Sequence, residues 1–112
     1  KWILDQGCYL GLDRYPGRLV SPHSRTVTMK KLIDEGYSDR LCPSHDCICL
    51  AVIKENPDGS VPEEHEFKRN NLHEYLYIKR EVIPDLKEMG VTDRVIENLF
   101  IDNPRRFFEG GG

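Results

Sequence analysis

The stretch Cys8-Tyr9-Leu10-Gly11-Leu12-Asp13-Arg14 decides how this chain is read. A short, mostly apolar run ends in a charged pair, and Pro16-Gly17 marks a turn directly after it. A strand of a parallel sheet, covered by helices on both faces, has this composition. Further on, Leu41 to His45 reads as a second short strand, and it too ends in charge, at Asp46. Between the two, Ser24 to Glu35 carries Val27, Met29, Leu32 and Ile33 at helical spacing, with Gly36 as the stop. Strand, helix and strand form a βαβ unit, whose right-handed crossover makes the strands parallel. The expected fold class is therefore α/β.

Parallel strands have a functional consequence. Asp13-Arg14 and Asp46 both fall at the carboxyl ends, hence on one edge of the sheet. Barrels and open sheets of the α/β class build their active sites on that edge.

Working outward, 112 residues suffice for one ordinary domain. Lys1-Trp-Ile-Leu-Asp-Gln-Gly7 reads as the tail of a helix closing on a glycine, so residues 1–112 are expected to be a single partial domain of something longer. A net charge of −3 gives no pull toward nucleic acid or an anionic membrane, and no partner of either kind is expected. No apolar run approaches the roughly 20 residues of a membrane span, and no charged-then-apolar leader is evident. Of four cysteines, Cys42, Cys47 and Cys49 crowd one segment and only Cys8 is distant. That spacing suits reduced thiols in a cytoplasmic protein better than a disulfide framework.

Residues 47–71 form a long connection, with a turn at Asn56-Pro-Asp-Gly59 and a charge cluster at Glu63-Glu-His-Glu66. From Leu72 the pattern turns helical. Ile78, Val82, Ile83, Leu86 and Met89 recur at helical spacing, Gly90 caps them, and Pro84 predicts a break near Ile78–Glu81. Thr92-Asp93 predicts the cap of a helix with Val95, Ile96, Leu99 and Phe100 inward. Asn103-Pro104 predicts an N-cap and first-turn proline opening a last short helix, with Phe107 and Phe108 in the core.

Three chemistries compete at Leu41-Cys-Pro-Ser-His-Asp-Cys-Ile-Cys-Leu50. A structural zinc site needs four soft ligands, and Cys42, Cys47 and Cys49 supply three at an unusual spacing, with no second cluster. A relay of Ser44, His45 and Asp46 fails on geometry, because consecutive strand residues point to opposite faces. If His45 faces outward, Ser44 and Asp46 face inward. A carboxylate at a strand end is the most useful group: it can hold a divalent metal and accept a proton from an activated water. That makes Asp46 the leading candidate.

Gly11-Leu-Asp-Arg-Tyr15, Leu32-Ile-Asp-Glu-Gly-Tyr37, Ser44-His-Asp46, Val82-Ile-Pro-Asp-Leu-Lys-Glu-Met-Gly-Val91 and Asn103-Pro-Arg-Arg-Phe107 occur in this order. Together they resemble the C-terminal part of the phosphotriesterase family of the amidohydrolase superfamily, especially its lactonase branch. The resemblance implies a (β/α)₈ TIM barrel, with Leu10–Arg14 as strand seven, Leu41–Asp46 as strand eight, and 47–71 as the long strand-eight loop over the pocket. It implies a hydrolase with two divalent metal ions, zinc or similar, whose bridging hydroxide attacks a lactone, an ester or a phosphotriester. Asp46 would be both a metal ligand and the catalytic proton relay, with Asp13, Arg14, Tyr15 and Ile48 at the substrate pocket. A homodimer is implied when full length. The remaining metal ligands of that family would lie upstream of Lys1, so the isolated chain is expected to be inactive. The alternative is a small non-catalytic module with zinc on Cys42, Cys47 and Cys49. Pro43 inside strand eight is expected to remove a ladder hydrogen bond.

Overall fold

The computed structural model describes residues 1–16, 19–45, 56–60 and 74–110. Helix α1 (Trp2–Asp5) closes on Gly7, whose φ of +79° suits a residue without Cβ. Strand β1 (Leu10–Leu12), helix α2 (Pro22–Asp34) and strand β2 (Leu41–Pro43) follow, with a 3₁₀ turn at Ser38–Arg40 just before β2. The two strands pair in parallel, Leu10 with Leu41, Gly11 with Cys42 and Leu12 with Pro43. The βαβ unit expected from the sequence is present. Leu10 and Leu12 are half-buried and Gly11 is exposed, however. The doubly covered strand inferred from composition has one strand neighbour among the described residues.

Helix α2 starts earlier than its apolar stripe predicts. Ser21 caps it, its hydroxyl oxygen accepting the Ser24 amide at 3.1 Å, and Pro22 stands in the first turn where no amide is needed. Its inward face includes Thr26, 1% exposed, beside fully buried Met29. Thr26 satisfies its hydroxyl on the Pro22 carbonyl at 3.0 Å, so a polar residue can take a core position.

The C-terminal helices pack on this unit. A π-helical stretch, Ile78–Val82, leads into α3 (Ile83–Glu88); α4 (Asp93–Glu97) leads through a second one, Asn98–Asp102, into α5 (Asn103–Glu109). The break expected at Ile78–Glu81 does not occur, because the helix widens there instead. The Ile83 amide reaches five residues back to the Ile78 carbonyl, and the Asn103 amide does the same to Asn98. Each wide turn directly precedes a proline, Pro84 or Pro104. Those rings have no amide to offer and would crowd the carbonyl four residues back in a regular helix.

Asn103 is likewise not a cap. Its backbone is helical, and its side chain is fully buried against other elements. Thr92 does cap α4, accepting the Val95 amide at 3.4 Å. Leu4, Tyr15, Met29, Leu41, Ile78, Val82, Leu86, Val91, Ile96 and Leu99 form one core. Phe107 and Phe108, expected inside, are 55% and 84% exposed. Asn103 and Arg106 take the inward positions of α5, turning the two rings outward, where Phe107 meets Tyr9 edge-on at 5.5 Å.

Candidate active-site edge

Parallel pairing brings the carboxyl ends of β1 and β2 together. The Ser44 amide donates to the Leu12 carbonyl at 3.1 Å, and the Tyr15 amide donates to the Ser44 carbonyl at 3.3 Å. Asp13, Arg14, Ser44 and His45 therefore share one edge. Because backbone amides alternate in direction along a strand, the Ser44 bond sets position 43 facing away from β1. Pro43 thus removes no hydrogen bond from the pairing with β1; the ladder it could interrupt is the one on the opposite side of β2.

Asp13 and Arg14 have side chains 58% and 73% exposed, in a loose ion pair at 4.0 Å. Arg14 has φ +66°, a left-handed conformation that crowds Cβ and is uncommon outside glycine. Behind them, Arg25 Nη1 donates to the Asp13 carbonyl at 2.8 Å. Tyr15 does not join the exposed pair. Its ring is 2% exposed, in the core, with the hydroxyl 3.4 Å from Thr26 Oγ1, and burial pushes its phenol above the usual range.

His45 Nε2 accepts the backbone amide of Ile78 at 3.0 Å. An amide can only donate, so this ring carries no proton on Nε2. This bond ties the end of β2 to the start of the C-terminal helices.

Asp46, Ile48, Cys47 and Cys49 lie outside the described residues, as do the charge cluster and most of the 47–71 connection. Of that connection, residues 56–60 are described, and they form the expected turn: the Gly59 amide donates to the Asn56 carbonyl at 2.9 Å. Cys42 sits in β2 with its thiol pushed up by burial. Among the described residues, no group of three or more His, Cys, Asp or Glu side chains converges as a metal site. The donor chemistry of this edge fits one contribution to a metal centre, a hard carboxylate at a strand end, and not a whole centre. A separate cavity of about 290 Å³ opens between α2 and α3, lined by His23, Tyr77, Arg80 and Asp85. Neither Asp13 nor Arg14 lines it, so it is a groove between helices and not part of the strand-end edge.

The family model of the phosphotriesterase family matches residues 1–108. This chain belongs to the phosphotriesterase family. A phosphotriesterase homology protein of Mycobacterium tuberculosis is 34% identical to it over 98% of this chain and 32% of its own length. The aryldialkylphosphatase of Saccharolobus solfataricus is 37% identical over 96% of this chain and 33% of its own length. The solved structure of the phosphotriesterase from Mycobacterium tuberculosis superposes with a TM-score of 0.76 at 34% identity, covering 96% of this chain and 32% of that one. The chain thus spans about a third of the length of the relatives it matches. No helix among the described residues is long and apolar enough to cross a membrane.

Proposed function

We propose that these residues form the C-terminal part of a metal-dependent hydrolase built on a (β/α)₈ barrel. On this reading β1 is the seventh strand and β2 the eighth. The observation that carries it is the parallel pairing of β1 and β2, which gathers Asp13, Arg14 and the end of β2 on one edge, within a family match over residues 1–108.

Asp46 is proposed as the ligand this chain contributes to the metal centre and as the group that takes up the proton released by the nucleophile. Divalent cations bound there would supply an activated water and Lewis-acid polarisation of the substrate. Asp13 and Arg14 are proposed to line the substrate pocket, with Tyr15 anchoring them from beneath and Ile48 facing the pocket from the long connection. A guanidinium at that edge suits the carbonyl oxygen of a lactone or ester and the phosphoryl oxygen of a phosphotriester alike. Family membership tells against the cysteine-zinc module.

The test uses a protein that carries these residues together with upstream strands of the relatives' length. Asp46→Ala should abolish hydrolysis of both a γ-lactone and a 4-nitrophenyl dialkyl phosphate. The 112-residue chain by itself should hydrolyse neither. Activity that survives the substitution would remove Asp46 from the mechanism.

A further inference from the structure

The turn leaving β1 is held from both sides by one turn of α2. Arg14 has φ +66°, a conformation a non-glycine residue keeps only where its surroundings impose it. On its upstream side, Arg25 Nη1 grips the Asp13 carbonyl at 2.8 Å. On its downstream side, the Tyr15 amide donates to the Ser44 carbonyl at 3.3 Å, and the ring is locked in the core with its hydroxyl against Thr26. Thr26 is itself buried and bonded to the Pro22 carbonyl at 3.0 Å. Arg25 and Thr26 are consecutive residues, so one segment of α2 holds the Asp13 carbonyl on one flank of Arg14 and the Tyr15 ring on the other.

The two flanks are not equally secure. Tyr15 is buried in the core, whereas among the described residues the Asp13 carbonyl is held by the charge-assisted bond from Arg25. Release of that bond removes the hold of α2 on the Asp13–Arg14 peptide and favours a return of Arg14 to negative φ. That return swings its side chain away from its present direction.

We propose that Arg25 is a positioning residue. By holding the Asp13 carbonyl, it keeps Arg14 left-handed and sets where the Arg14 guanidinium meets the substrate. The proposal rests on the assignment of Arg14 to the substrate pocket made above.

The test uses the same longer protein, with a γ-lactone and a 4-nitrophenyl dialkyl phosphate as probes. Arg25→Met keeps the length of the side chain and removes the donor. It should raise KM roughly tenfold, the size of one lost charge-assisted hydrogen bond, with kcat little changed. Arg25→Lys keeps a donor and should restore most of the loss. In an Arg14→Ala background, Arg25→Met should have no further effect. An independent readout is the strong intraresidue amide–Hα cross-peak that a positive φ gives in NMR spectra. It should be present at residue 14 in the parent and in Arg25→Lys and absent in Arg25→Met. If that signature survives Arg25→Met, or if the KM effect adds fully to that of Arg14→Ala, the positioning role is wrong. If Arg14→Ala leaves KM unchanged for both probes, the pocket assignment is what fails.

Discussion

At the amino end of β2, Asn103 reaches in from α5 with a fully buried side chain and donates to both the Ser38 and Leu41 carbonyls at 2.7 Å. Asn98 joins it with a bond to Asp39 at 2.7 Å, and Arg106 ties the two asparagines together. At the carboxyl end the Ile78 amide bonds the His45 ring, and the Ser44 amide and carbonyl bond across to Leu12 and Tyr15. Among the described residues, one end of the strand is held by buried side chains that bond backbone carbonyls, and the other by backbone pairing and the His45 ring. In α/β barrels the amino-end face serves stability, while the carboxyl-end face carries the chemistry and the variable loops. The contrast teaches that a buried side-chain network secures the amino end of β2.

The largest test of that contrast is Asn103→Ala. It strands the buried Leu41 carbonyl, takes one of two side-chain donors from the Ser38 carbonyl and frees part of the Arg106 guanidinium, and should lower stability by about 3 kcal/mol. Denaturant titration would register this as a fall in the midpoint without a change in slope. KM of the folded longer protein should stay put. A change in KM at unchanged stability would erase the distinction between the two ends.

His45→Ala should behave in the opposite way. It removes one hydrogen bond, about 1 kcal/mol, yet should lower turnover by about 10- to 100-fold if the end of β2 orients Asp46. His45→Gln, which can still accept a hydrogen bond, should recover part of that turnover. Equal effects of the two substitutions on activity would mean that the acceptor is irrelevant.

The smallest effect concerns Tyr15, beneath the carboxyl end of β1. Burial raises its phenol above the ordinary value of 10.0, so the folded state resists losing that proton. The resulting stability is fully present below the ordinary value and is lost as pH rises through the folded one. Thermal unfolding should therefore show an alkaline decline beginning near the ordinary value, and Tyr15→Phe should flatten it. An identical decline in both proteins would show that the ring is not the group responsible.

Much of this could be read in the sequence, for identifiable reasons. The βαβ unit was legible because two apolar runs ending in charge bracket one amphipathic stripe, and Thr92 was legible as a cap because its hydroxyl acts locally. What the sequence hid were polar side chains acting over long separations. Asn103 beside Pro104 looks like a cap; its true partners lie 62 and 65 residues away. The misplacement of Phe107 and Phe108 has the same origin, since Asn103 and Arg106 occupy the inward face that hydrophobicity would assign to the rings. Proline was read as a breaker where the helix widens instead, a backbone response with no compositional mark. In the candidate site, Asp13 and Arg14 stand at the expected edge, and Asp46 and Ile48 lie outside the described residues. The roles of Arg25 and His45 had no local signature, because each bonds a backbone group of a distant element.

The most direct test of the central claim is the metal content of the longer protein before and after Asp46→Asn, a substitution that keeps the shape and removes the charge. The account predicts that the parent binds divalent metal tightly through dialysis against chelator, and that Asp46→Asn loses metal together with hydrolytic activity. Full metal retention with undiminished hydrolysis by Asp46→Asn would contradict it.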